Sequence, residues 1–140
     1  MGHYLVTGAA GFIGARTSEI LIEQGHTVTG IDNMNDAYDP RMKEYRLGKL
    51  QTKPGFDFHL ADISHKDVIS LFEGQKFDGV INLAARAGVR YSVENPWIFV
   101  DSNITGTLNM LEICRLTGSG DIHTGLNLQH LWRQPILPNP

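Results

Sequence analysis

The stretch Val6-Thr7-Gly8-Ala9-Ala10-Gly11-Phe12-Ile13-Gly14 decides the fold. Before it, His3 to Thr7 is a short apolar run of the kind that forms a buried parallel strand. After it, Phe12, Ile13, Arg16, Ile20, Leu21 and Gln24 recur at roughly helical spacing, closed by Gly25. Three glycines between a strand and a helix have separate uses. Gly8 permits the tight turn out of the strand, Gly11 lets backbone come close to a pyrophosphate, and Gly14 lets the helix pack on the strand. The start of the helix then presents free N–H groups and a partial positive charge to phosphate.

Working outward, the same alternation continues. Thr27 to Ile31 is β-branched and apolar and reads as a second strand. Asp32 to Pro40 is polar and turn-rich, and Arg41 to Leu50 fits an amphipathic helix. Phe56 to Leu60 reads as the third strand, and Ser64 is a candidate N-cap for a helix over His65 to Glu73. Asp78 to Leu83 is the fourth strand, Ala84 to Pro96 a loop, and Pro96 to Leu116 one long helix ending near Gly118. Strands alternating with helices imply an α/β fold, a doubly wound parallel sheet of the Rossmann type. Right-handed crossovers favour the strand order 3-2-1-4, an incomplete version of that fold.

Three further features stand at the carboxyl ends of these strands, where open α/β sheets bind ligands. Asp32 lies about 20 residues past the glycines, where a carboxylate can accept both ribose hydroxyls of an adenosine. It would repel a 2′-phosphate and no arginine adjoins it, so NAD is expected over NADP. Asp62 can receive an adenine amino group, and Ile63 can cover the ring. In Asn82-Leu83-Ala84-Ala85, small residues leave space for the nicotinamide half.

These residues carry a family resemblance. Val6–Gly14 (VTGAAGFIG), Gly30–Asp36 (GIDNMND), Ala61–Ser64 (ADIS) and Val80–Arg115 resemble the extended short-chain dehydrogenase/reductase group, NAD-dependent sugar-nucleotide epimerases and dehydratases. Ala87 to Ser92 with Glu94-Asn95-Pro96 is most similar to the UDP-glucuronate 4-epimerase branch. UDP-glucose 4-epimerases and dTDP-glucose 4,6-dehydratases are neighbouring readings. The resemblance implies that NAD is the cofactor and a nucleotide sugar the substrate. It implies that Asp32, Asn33 and Asn35 hold the adenosine ribose and nearby phosphate, that Asn103 lies near the cofactor, and that Arg90 and Tyr91 lie beside the sugar nucleotide. A homodimer is compatible with it.

The family chemistry is transient oxidation at the sugar C4. It needs a tyrosinate, a Lys four residues later and a Ser or Thr at the reacting oxygen. The sequence has one Tyr-x-x-x-Lys match, Tyr45 and Lys49, just after the second strand. The family's pair follows the fifth strand, so this match reads as a surface helix pair. No catalytic residue is therefore assigned, and the catalytic and sugar-binding part is expected to be missing. A stand-alone NAD-binding module is the rival reading.

The chain divides into a cofactor-binding region over residues 1–117 and an aberrant tail over 118–140. The tail has three prolines and no clear period. Leu128 to Pro135 can be encoded so that the next frame spells Ser-Ser-Ile-Tyr-Gly-Ala-Asn-Pro, a segment typical of the family after its fifth strand. Slipped Ile122-His123-Thr124 permits Phe-Ile-Leu. A frameshift near Gly118 to Asp121 is the expectation.

Composition bounds the rest. The 140 residues give room for one domain. Twelve Lys+Arg against 15 Asp+Glu leave a net charge of −3, which does not point to nucleic acid. No apolar run reaches a membrane span, and no signal peptide is evident. A single cysteine, Cys114, and no Cys/His cluster argue against disulfides and structural metal. A cytoplasmic location is the expectation.

Overall fold

The computed structural model describes residues 1–35, 39–86 and 89–125. Ala87, Gly88 and the greater part of the tail, Leu126 to Pro140, lie outside the described residues.

The elements in chain order are β1 (His3–Thr7), α1 (Phe12–Glu23), β2 (Thr27–Asp32), α2 (Pro40–Gln51), β3 (Phe56–Leu60), α3 (Asp67–Ser70) and β4 (Gly79–Asn82). They continue with α4 (Val89–Glu94), α5 (Pro96–Phe99), a wide π-helical turn over Val100–Thr105, α6 (Gly106–Thr117) and β5 (Ile122–Thr124). The five strands form one parallel sheet in the order β3-β2-β1-β4-β5.

Alternation along β1 sends its side chains to two cores. Leu5 packs with Ile31, Val80, Phe72, Met110 and Ile113 beneath α3 and α6. Val6 packs with Ala9 and Val28 against Leu21 and Ile22 of α1. Burying both faces is what makes the strands read as near-continuous apolar runs. The helix ends also follow local chemistry. Asp39 accepts from the Arg41 amide at the start of α2, with Pro40 in its first turn. Gly118 closes α6 at φ 70°.

The sequence reading needs four corrections. The order 3-2-1-4 is extended by β5, which lies in the stretch read as an irregular tail. Ile122, His123 and Thr124 pair with Val80, Ile81 and Asn82, satisfying an edge of β4 that would otherwise present unpaired backbone groups. The expected loop over Ala84 to Pro96 contains α4. The helix expected over His65 to Glu73 shrinks to α3, because Ser64 is not its cap. The Ser64 amide and hydroxyl both donate to Asp62 Oδ1, at 2.9 and 2.7 Å, making a turn instead. Finally, the long helix is continuous over 96–117 but widens between α5 and α6.

Candidate dinucleotide site

A cavity of about 590 Å³ opens at the carboxyl ends of β1 to β4. Its floor is the glycine turn. Gly8 has φ 67°, and a Cβ there would meet the Ala84 amide nitrogen at 3.0 Å. A Cβ on Gly14 would lie inside contact distance of the Gly8 carbonyl oxygen and 3.1 Å from Ala9 Cα. Both glycines are therefore required by shape. The Gly11 amide donates to the Gly8 carbonyl at 2.9 Å and closes the turn.

α1 begins at this turn with neither a side-chain cap nor an acidic residue in its first turn. Its early N–H groups face the cavity without a competing side-chain acceptor, the arrangement that favours a phosphate group. Phe12 and Ile13 flank this entrance and are largely exposed.

Asp32, at the end of β2, is buried at the opposite wall. Its Oδ2 accepts from the Ala10 amide at 3.1 Å. Its Oδ1 accepts from the Met34 amide at 2.8 Å and from Lys43 Nζ at 3.0 Å. With Oδ1 so engaged, Oδ2 is the oxygen with acceptor capacity for a ribose hydroxyl. No arginine adjoins Asp32 in the sequence, but the fold brings a lysine to it. Lys43 comes from α2, which folds back over the end of β2. The ion pair is nearly closed to solvent, with side-chain exposures of 8% for Lys43 and 3% for Asp32. Arg46, three residues on, also lines the cavity and sits over the Phe12 ring at 5.6 Å.

Asp62 and Ile63 line the cavity where the chain leaves β3. Burial would raise the Asp62 carboxyl. Donors from the Ser64 hydroxyl and amide and the Asn33 side chain, with the field of His65, outweigh it and hold the group below the ordinary carboxylate range. Ile63 is fixed from behind, because buried Asn109 Nδ2 donates to its carbonyl at 2.7 Å.

The far wall hangs on Thr7. Its hydroxyl donates to Asn82 Oδ1 at 2.6 Å and accepts from the Leu83 and Ala84 amides at 3.1 and 3.0 Å. One buried hydroxyl thus ties the end of β1 to the chain leaving β4. Asn103 clasps the next segment. Its Oδ1 accepts from the Arg86 amide at 2.9 Å and its Nδ2 donates to the Arg86 carbonyl at 3.2 Å.

Thirteen of the fourteen expected cofactor residues line this one cavity: Gly8, Gly11, Phe12, Ile13, Gly14, Asp32, Asn33, Asn35, Asp62, Ile63, Leu83, Ala84 and Ala85. Asn103 does not line it; its amide holds the wall from outside. Arg90 and Tyr91 lie on α4, away from the lining, with Tyr91 beside the Phe99 ring at 6.2 Å. Tyr45 and Lys49 lie on the exposed side of α2, with the ammonium 5.9 Å from the ring centre, and neither lines the cavity. The sequence reading missed Thr7, Lys43 and Arg46. Only the polar Thr7 at the end of an apolar strand carried a signal. Among the described residues no cluster of metal-ligating side chains occurs, and no helix is long and apolar enough to cross a membrane.

Residues 5–125 match the family model described as GDP-mannose 4,6 dehydratase. The UDP-glucuronate 4-epimerase of Thermodesulfobacterium geofontis is 53% identical over 116 residues, covering 82% of this chain and 36% of that protein. The solved UDP-glucuronic acid 4-epimerase of Bacillus cereus, in complex with UDP-glucuronic acid and NAD, is similar with a TM-score of 0.77 at 31% identity. That match covers 87% of this chain and 39% of the other. The Thermus thermophilus UDP-glucose 4-epimerase, in complex with NAD, is similar with a TM-score of 0.71 at 32% identity, covering 86% and 36%. The chain spans about a third of the length of the curated relatives it matches.

Proposed function

The chain belongs to the GDP-mannose 4,6 dehydratase family of NAD-dependent epimerases and dehydratases, and on that premise we propose that it is the NAD-binding part of a UDP-glucuronate 4-epimerase. The observation that carries this reading is the convergence of the glycine cradle, Asp32 and Asp62-Ile63 on one cavity. The residues fit a dinucleotide because a side chain at Gly8 or Gly14 would collide with backbone, while the uncapped start of α1 stands over the same turn.

In this reading Gly8, Gly11 and Gly14 and the start of α1 hold the pyrophosphate. Asp32, Asn33 and Asn35 hold the adenosine ribose, and Asp62 with Ile63 holds the adenine. Leu83, Ala84 and Ala85 leave space for the nicotinamide end. Thr7 and Asn103 keep that wall in place. Bound there, NAD supplies a hydride acceptor that later returns the hydride. The Tyr-x-x-x-Lys of the sequence, Tyr45 and Lys49, lies away from this cavity, and in this proposal the chain binds the dinucleotide without turning over a sugar nucleotide.

Thermal unfolding tests this reading. Saturating NAD is expected to raise the melting temperature, since ligand at a hundredfold its Kd stabilises by about 2.7 kcal/mol. UDP-glucuronate with added NAD is expected to give no epimer. A folded chain that ignores NAD would refute the binding assignment, and turnover would refute the inactivity.

The tail over 118–140 is, in the same proposal, read out of frame. What supports this reading is that Ile122–Thr124 takes the fifth-strand position beside β4, where the neighbouring frame permits Phe-Ile-Leu. The nucleotide sequence after Arg115 tests it. A neighbouring frame that does not continue into Tyr-x-x-x-Lys would refute it.

Self-association also belongs to this proposal. Trp97, Val100, Ile104, Leu108 and Leu111 form an apolar row from α5 to α6, each between 40 and 76% exposed. The spacing is symmetric about Ile104, so across a two-fold axis Ile104 meets its own copy while Trp97 meets Leu111 and Val100 meets Leu108. Sedimentation should show a dimer that Ile104→Glu converts to monomer without loss of thermal stability. A monomeric parent chain would refute it.

A further inference from the structure

We propose that Lys43 sets how strongly the cavity prefers NAD over NADP, holding that preference below what the Asp32 carboxylate alone would impose. The inference rests on the dinucleotide reading above and concerns only its adenosine end. A carboxylate at the end of β2 favours NAD for two reasons. It accepts a hydrogen bond from a ribose hydroxyl, and its charge repels a 2′-phosphate. The second reason assumes that the charge is uncompensated.

Here it is compensated. Lys43 Nζ lies 3.0 Å from Asp32 Oδ1 in a nearly dry environment, where solvent screens the pair little. Arg46, three residues on along the same helix, also lines the cavity, with its guanidinium over the Phe12 ring. Among the described residues the charged groups that line the cavity are Asp32, Lys43, Arg46, Asp62 and Arg86, and of these Lys43 is the cation paired with Asp32. An incoming 2′-phosphate meets the Lys43 ammonium beside the Asp32 carboxylate. Hydrogen-bond geometry at Oδ2 still favours a hydroxyl, but the electrostatic part of the discrimination is offset.

Titration calorimetry of NAD and NADP on the full chain and on Lys43→Met and Lys43→Arg tests this. Methionine keeps the length and the apolar stem and removes only the charge. In Lys43→Met the ratio of Kd for NADP to Kd for NAD is expected to rise about tenfold, the equivalent of about 1.4 kcal/mol. In Lys43→Arg, which keeps the charge, the ratio should stay within about threefold of the parent. An equal loss of both cofactors in Lys43→Met would make Lys43 a structural support and overturn the proposal. So would a parent chain that binds NAD but shows no NADP binding at millimolar concentration.

Should Lys43→Met fail to fold, Lys43→Gln removes the same charge and keeps a polar tip beside Asp32. There a ratio about threefold higher is expected, by loss of that charge, and an unchanged ratio would overturn the proposal. If the folded parent binds neither dinucleotide, the assignment of the cavity itself fails, which is a different result from failure of the charge argument.

Discussion

Gly14→Ala is expected to destabilise the chain by about 2 to 3 kcal/mol and to abolish measurable NAD binding, although alanine is the better helix former. In an open helix position the same change gains about 1 kcal/mol. At Gly14 the new methyl would enter contact distance of the Gly8 carbonyl oxygen and stand 2.7 Å from its carbon. Both atoms belong to the turn that forms the cavity floor, so neither can swing away as a flexible side chain could. α1 would have to lift off β1, opening the Val6, Ala9 and Val28 core and displacing the start of the helix from the cavity. Gly48→Ala in α2 is the control. Nothing lies within 4 Å of a Cβ there, and the position is exposed. It should stabilise by about 0.5 to 1 kcal/mol. Urea titration of the three proteins compares the signs directly. If Gly14→Ala is as stabilising as Gly48→Ala, the close approach of α1 to the turn is not what holds the site.

Thr7→Val is expected to cost about 3 kcal/mol and to weaken NAD binding at least tenfold. The substitution keeps shape and removes the hydroxyl. That hydroxyl is fully buried and makes three hydrogen bonds, to Asn82 Oδ1 and from the Leu83 and Ala84 amides. Valine leaves two backbone donors and one side-chain acceptor without their partner. Each orphaned buried group costs about 1 to 3 kcal/mol, reduced where the chain relaxes toward water. Relaxation here means movement of Leu83 and Ala84, which line the cavity, so part of the cost appears as lost affinity. Thr7→Ser keeps the oxygen and removes one methyl, and should cost about 1 kcal/mol while retaining binding. Equal effects of Thr7→Val and Thr7→Ser on NAD affinity would show that the hydroxyl does not hold this wall.

Both residues bear on what could be read without coordinates. Gly14 was readable because its spacing from Gly8 is a local rule of the strand-to-helix turn. Thr7 stood out only as a polar residue ending an apolar strand, and its role was hidden because its partners are about 75 residues away in the chain. The same contrast runs through the site. Asp32, Asp62 and Ala84-Ala85 were found because each ends a strand with a recognisable apolar pattern. Asn103 was singled out by resemblance as lying near the cofactor, and its amide spans 17 residues to Arg86, which lines the cavity.

The elements show where pattern reading fails. α3 was overextended because the turn that Asp62 and Ser64 make competes with helix initiation, a competition decided by side-chain geometry. β5 was overlooked because three polar-flanked residues have no strand pattern of their own. They are recruited by the edge of β4. α4 was missed in a segment whose helical turn carries no clear apolar period.

By itself, the amino-acid sequence determined the alternation of strands and helices, the parallel order around β1, the glycine turn and the acids at the strand ends. Those follow from short-range rules: side-chain period, turn sterics and the handedness of the crossover. Only the tertiary structure decided the fifth strand, the Thr7 tie between β1 and β4, and the folding of α2 over β2 that sets Lys43 against Asp32. Each depends on groups brought together from distant parts of the chain. Burial then makes their hydrogen bonds and charges count for more than they would in water.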